Sequence, residues 1–198
     1  MKRHNKLVII FQTTLYVTVN NAQLSVMYTN VDSLFNKMGE LQALITEKQY
    51  DIIAVTEVFP KRQQLDYNDP ELQLVGYTIF HPIKKVFTGR GSIIYIKGTL
   101  KAYQIESQET EFIEFIQTGI KTQSGSNILI SCIYRSPSAN NDDCVRELSD
   151  IISIKTFCNT KFDCILHIGD FNFKEINWVD QNTSVGTVHI SSKFLEVV

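Results

Sequence analysis

The stretch "HIGDFNFKEINW", His167 to Trp178, places a carboxylate, Asp170, and a carboxamide, Asn172, two positions apart, just after the apolar run "CILHI". A carboxylate can accept a proton, and a carboxamide can stabilise charge without adding repulsion. Asp and Asn are also the commonest turn residues, so the pair fits an Asx-type turn as well as a catalytic rim. Three further polar residues share the position of Asp170 at the C-terminal end of an apolar run. Asn30 ends "LSVMYTN", Glu57 ends "DIIAVTE" and Tyr134 lies at the end of "NILISCIY". Catalytic and ligand-binding groups collect at such strand ends in α/β architectures, where loops leave a rigid scaffold. Each residue alone reads as an ordinary polar group closing a strand; the four together form a constellation.

The elements that must position these residues follow from periodicity. "LSVMYTN" reads as a short strand. Leu34, Met38, Leu41, Leu44 and Ile45 recur at helical spacing, with Asp32 or Ser33 as the expected N-cap. "DIIAVTE" is a β-branched run of buried-strand type, so residues 24–57 form a βαβ-like unit. Asp51, which opens that run, reads as a cap or turn residue. Residues 61–72 are polar and predict a surface loop. Short β-type runs follow: "YTIF", "GSIIYIK", "AYQIE", "EFIEFIQTGI" and "NILISCIY". An amphipathic helix is expected over 142–157 and a buried strand over "DCILHIGD". The reading is α/β, with helices outside packed β layers. His167 lies inside the last apolar run and points away from Asp170 if the strand alternates. It is expected to be a buried, satisfied histidine and not a catalytic one.

The 198 residues, 43% of them hydrophobic, suffice for one domain with a substantial core. The net charge of -2 gives no global electrostatic case for nucleic-acid binding, which would need a local basic surface. The four cysteines (Cys132, Cys144, Cys158, Cys164) have no C-x-x-C spacing, which points to reduced structural thiols in an intracellular protein. The start, "MKRHNKLVIIFQTTLYVTVNNAQ", mimics a signal peptide, but Gln12, Thr13 and Thr14 interrupt its apolar middle. It is also too short and polar to span a bilayer, so neither secretion nor membrane association is expected. Residues 1–23 are read as an N-terminal extension of unknown role, an extra strand or sequence outside the domain, and residues 24–198 as the domain.

With these pieces in order, the chain resembles the endonuclease/exonuclease/phosphatase superfamily of metal-dependent phosphodiesterases. The matching segments are "YTNVDSL", "DIIAVTE", "GRGSIIYIK", "ISCIYRSP" and "HIGDFN". "NVDSLFNK", "CIYRSP" and "IGDFNFKEINW" are closer still to the AP-endonuclease-like domain of non-LTR (LINE-type) retrotransposons. The resemblance implies a two-layered β-sandwich core flanked by helices, and a domain that nicks DNA with Mg²⁺ (Mn²⁺ in its place). It implies Glu57 as the main metal ligand, with Asn30 beside it to position metal-bound water or phosphate. Asp170 would orient or deprotonate the attacking water, and Asn172 and Tyr134 would hydrogen-bond the phosphate or leaving group. Arg135 and Arg90 could reach DNA phosphates or be solvated surface charges. The implied partners are DNA and a reverse transcriptase domain in the intact element, with access to the nucleus.

The superfamily closes on an Asp-His pair beside its last strand. None of the four histidines here follows an aspartate, and the chain stops at "SSKFLEVV". The expectation is therefore a domain lacking its last strand or strands, with catalysis impaired. Two alternatives stay open. One is a non-catalytic retroelement remnant that at most binds DNA or a partner. The other is a phosphoesterase of the same fold acting on RNA or on lipid or inositol phosphates.

Overall fold

The computed structural model describes residues 6–10, 13–20, 22–60, 66–82, 90–109, 113–139, 141–153 and 162–196. In chain order the elements are β1 (Lys6–Ile10), β2 (Thr13–Val19), β3 (Ala22–Asn30), α1 (Met38–Lys48), β4 (Ile52–Thr56), β5 (Tyr77–Phe80) and β6 (Ser92–Lys97). They continue with β7 (Lys101–Glu109), β8 (Ile113–Lys121), β9 (Asn127–Arg135), α2 (Asp142–Ser153) and β10 (Cys164–Asp170). The hairpin β11 (Ile176–Asn177) and β12 (Asn182–Thr183) and the helix α3 (Ile190–Leu195) follow.

Apolar alternation builds two five-stranded sheets, ordered β1-β10-β9-β8-β7 and β2-β3-β4-β6-β5. Their inner faces share one core, in which Val26, Tyr28, Ile52, Ala54, Ile94 and Ile96 meet Ile116, Ile130, Cys132, Leu166 and Ile168. This is sheet-on-sheet packing in two layers. Helix α1 covers the outer face of the second sheet through Leu41 and Ile45, and α2 and α3 cover that of the first. The strands β1 and β2, from residues 1–23, join β10 in parallel and β3 in antiparallel pairing, one in each sheet. Among the described residues no helix is long and apolar enough to cross a membrane.

The crossover β3-α1-β4 is the expected βαβ unit, with β3 and β4 parallel neighbours. Its helix starts later than periodicity suggests. A 3-10 turn, Phe35–Lys37, precedes Met38, and neither Asp32 nor Ser33 caps it. The reason is tertiary: the Val31, Ser33 and Leu34 amides donate to the carbonyls of Thr56, Glu57 and Val58. Pairing alongside β4 therefore continues past the strand, and Asp32 and Ser33 take positive φ values of 45° and 88°. Within the expected surface loop, residues 61–65 lie outside the described residues, but Tyr67 and Leu72 are buried against Phe59 and Tyr95. Asp69 caps the short turn Pro70–Leu72 that carries Leu72 inward. Asp51 is the turn residue expected, its Oδ2 accepting from the amide and hydroxyl of Ser25. Cys132, Cys144 and Cys164 are buried, while Cys158 and residues 154–157 of the expected second helix lie outside the described residues.

His167 is fully buried on the outer face of its sheet, paired in register with Ser131. Neither ring nitrogen meets strict hydrogen-bond geometry among the described residues, and the ring's polar contact is with the Ile152 backbone. Burial pushes its pKa down to about 4, against the opposing hydrogen bond to the Ile152 backbone. The folded state thus refuses a proton that the unfolded chain accepts below its ordinary value of 6.5. Stability from this residue is whole above that value and is lost as pH falls from 6.5 towards 4. The loss amounts to roughly 3 kcal/mol. Urea unfolding at neutral and mildly acid pH should show this decline in the wild type and a flatter profile in His167→Leu. Equal pH slopes in the two proteins would refute it.

Candidate active site

Parallel pairing places four strand ends side by side. Asn30, the last residue of β3, is in register with Thr56, next to Glu57, and Asp170, the last of β10, is in register with Tyr134 of β9. Tyr28, Cys132 and Ile168 point into the inter-sheet core, so Asn30, Tyr134 and Asp170, two residues on, share that face. Two hydrogen bonds then cross from sheet to sheet. Asn30 Nδ2 donates to Asp170 Oδ2 at 3.2 Å, and the Tyr134 hydroxyl donates to Glu57 Oε1 at 3.1 Å. The four residues singled out at strand ends thus meet at one end of the sandwich. Beneath them the Tyr28 and Thr56 hydroxyls share a buried hydrogen bond of 2.8 Å.

Burial, then the charge of Glu57, raises the Tyr134 pKa well above the usual phenol value. The phenol keeps its proton and acts as a donor to the carboxylate. Glu57 itself leaves the strand at φ 57°, a left-handed conformation that turns the chain out of β4.

The segment after β10 is held from the opposite face. Asp170 Oδ1 accepts from the Asn172 amide at 3.0 Å, the Asx-type turn that the residue types allow. Asn172 sits at φ 49°, and its Nδ2 donates to the Arg135 carbonyl at 2.7 Å. Arg135 is not at the surface: it is 2% exposed. Its Nε donates to the Phe171 carbonyl at 2.6 Å and its Nη2 to the Asn172 carbonyl at 2.7 Å. Its Nη1 donates to the Ala139 carbonyl, and the guanidinium lies 4.0 Å from the centre of the Phe173 ring. Both readings of Arg135 from sequence, a phosphate contact and a solvated surface charge, are therefore corrected by its burial. Neighbouring strand residues face opposite sides, so with Tyr134 turned inward Arg135 must turn outward, under the loop.

Arg90 does reach the site, but towards carboxylates. Its Nη1 lies 3.0 Å from Glu57 Oε2, its Nη2 donates to Asp32 Oδ1 at 2.5 Å, and its Nε donates to the Phe59 carbonyl at 2.9 Å. Its backbone amide donates to Glu114 Oε1 at 2.8 Å. From sequence, Asp32 reads only as a possible helix N-cap, and Glu114 is not singled out. Glu114 carried a signal, a charge inside the apolar run "EFIEFI", which marks a buried, partnered carboxylate. It pairs in register with Tyr134.

Among the described residues no group of three or more His, Cys, Asp and Glu side chains converges as a metal site. The oxygen donors present (the Glu57 and Asp170 carboxylates and the Asn30 carboxamide) are of the hard type that Mg²⁺ and Mn²⁺ prefer, and one or two carboxylates suffice for an ion that keeps its waters. Glu57 Oε2 is already engaged by the Arg90 guanidinium, so an ion held there would have to share or displace that contact. The residues fit a divalent ion of this class.

No protein-family model matches the chain. In sequence it is 24% identical, over 161 residues and 79% of its length, to the probable RNA-directed DNA polymerase from transposon BS of Drosophila melanogaster. It spans 16% of that protein. In structure it is similar to the endonuclease domain of TRAS1, a telomere-specific non-LTR retrotransposon, with a TM-score of 0.58 and 13% identity. That match covers 87% of this chain and 69% of the other. It is also similar to ANGEL2, a 2',3'-cyclic phosphatase, with a TM-score of 0.55 and 14% identity over 83% of this chain and 56% of that one. Two helix-flanked mixed sheets, with their polar strand ends gathered at one rim, give this chain the endonuclease/exonuclease/phosphatase fold.

Proposed function

We propose that this chain is a metal-dependent, DNA-nicking phosphodiesterase domain of retrotransposon type. The observation that carries the reading is the pair of inter-sheet hydrogen bonds, Asn30 to Asp170 and Tyr134 to Glu57, which assembles the four polar strand ends into one site. Glu57 and Asn30 would hold Mg²⁺ or Mn²⁺, which when bound polarises the scissile phosphate and offsets charge on the leaving oxygen. Asp170, with Oδ2 fixed by Asn30 and Oδ1 by the Asn172 amide, is oriented to take a proton from the attacking water. A carboxamide has two N–H donors, and that of Asn172 spends one on Arg135, so the other is available to a phosphate oxygen as charge develops. Tyr134, protonated, orients Glu57 through its single O–H, and would donate to the phosphate or leaving group only by giving up that contact. In the whole element the partners would be DNA and a reverse transcriptase domain.

None of the four histidines follows an aspartate, so the closing Asp-His pair of the superfamily is not among these residues. A positioned acid or base contributes ~10²–10⁴ in rate, and nicking by the chain alone is expected to be slow by that factor.

A supercoiled plasmid incubated with Mg²⁺ tests the assignment. The wild type should nick slowly, and Glu57→Ala and Asp170→Ala should each be slower again by roughly 10²-fold or more. Equal nicking by all three proteins would sink the site. Cleavage of an RNA or inositol phosphate substrate without plasmid nicking would move the same residues to another phosphoester.

A further inference from the structure

We propose that Arg90 is a built-in counter-cation that competes with a divalent metal for Glu57, so that loading the site requires the guanidinium to release that carboxylate. The inference rests on the assignment of Glu57 as the metal ligand and adds a residue that sets how strongly the metal is held.

Both oxygens of Glu57 are engaged: Oε1 accepts from Tyr134 at 3.1 Å and Oε2 faces Arg90 Nη1 at 3.0 Å. Mg²⁺ and Mn²⁺ bind through carboxylate lone pairs, so an ion entering here meets an occupied oxygen and a positive charge. Arg90 is not a loose surface side chain that happens to touch Glu57. It is 12% exposed, and its three nitrogens reach three different acceptors, Glu57, Asp32 and the Phe59 carbonyl. The backbone is anchored too, through the Glu114 contact to its amide. The next residue, Gly91, sits at φ 78° with the Phe59 ring so close that a Cβ would lie 2.5 Å from it, so a side chain does not fit beside Arg90.

The two carboxylates around Arg90 are not equivalent. Asp32 is 70% exposed, whereas Glu57 is 17% exposed, where an ion pair is less screened by water. If a divalent ion takes Oε2, Nη1 loses its partner while Nη2 and Nε keep Asp32 and Phe59. The guanidinium then stays at the rim with one edge released. One planar fork can make this exchange without leaving its anchors; a lysine, with one nitrogen, cannot.

Mn²⁺ titration of the full chain, followed by the EPR signal of the free ion, tests this independently of any nuclease activity. Arg90→Met, which keeps the apolar stem, should bind Mn²⁺ about tenfold more tightly than the wild type, the weight of one charge-assisted hydrogen bond. Arg90→Lys should fall between the two, and Glu57→Gln should bind far more weakly than either. Affinity in Arg90→Met equal to or below the wild type would overturn the competition and leave the metal assignment standing. Wild-type-like binding by Glu57→Gln, or no binding by the wild type and Arg90→Met alike, would overturn the assignment itself. Should Arg90→Met fail to fold, Arg90→Lys decides, since an affinity no higher than the wild type's refutes the proposal.

Discussion

Gly169→Ala is expected to be the most damaging single-methyl substitution in this protein, leaving little or no folded material. Gly169 precedes Asp170 in β10, at φ 150°, a region that residues with a side chain scarcely enter. A Cβ built on it would lie 1.7 Å from the Ile133 carbonyl oxygen and 2.7 Å from its carbon. That neighbour is backbone, in register with Gly169 across the β9-β10 ladder, so it cannot rotate away as a side chain would. Relief requires the strands to part where Asp170 and Tyr134 are held together. Strain of this kind, added to broken ladder hydrogen bonds, costs of order 4 kcal/mol or more, a large share of a domain's total stability. Soluble yield and thermal unfolding check it. A well-folded Gly169→Ala protein melting within about 5 °C of the wild type would show that β9 and β10 do not approach so closely.

Arg135→Met is expected to destabilise the protein by about 3 kcal/mol and to loosen the loop that bears Asn172. Burial lowers the Arg135 pKa from the usual arginine value, so burying this cation has a cost. Contacts to the carbonyls of Phe171, Asn172, Ala139 and Ser136, and to the Phe173 ring, offset that cost. Methionine removes the buried charge but leaves buried carbonyls without their donor, and unpaired buried groups are what make such losses large. Arg135→Lys should recover less than half of the loss, because one ammonium cannot serve acceptors spread over residues 136–172. Denaturant unfolding measures the loss, and hydrogen exchange at the Asn172 amide measures the loosening. A methionine variant within about 1 kcal/mol of the wild type, its Asn172 amide still protected, would remove Arg135 from this role.

Much of this arrangement is visible in one dimension. Alternating and continuous apolar runs mark the strands β3, β4, β5, β6, β9 and β10 within one or two residues, because a side-chain period of two is a local property of the chain. The same alternation contains the correction to Arg135: if Tyr134 faces the inter-sheet space, its neighbour cannot. The helix start was not legible, since the Ser33 and Leu34 amides are drawn to the carbonyls of Glu57 and Val58, more than twenty residues away. Nor was the burial of Tyr67 and Leu72, in a segment whose composition is that of a loop.

Residue types and their positions at strand ends were enough to single out Asn30, Glu57, Tyr134, Asp170 and Asn172, since both are matters of local order along the chain. Which of them touch was settled only in three dimensions. Asn30 meets Asp170 across 140 residues and Tyr134 meets Glu57 across 77, each bond joining one sheet to the other. Face-to-face packing of two sheets has no signature in local spacing, because any inner face is apolar enough to cover any other. Tertiary structure likewise decided the partners of the two arginines. Local sequence left each as a free cation; packing placed one beneath the Asp170 loop and the other against the carboxylate of Glu57.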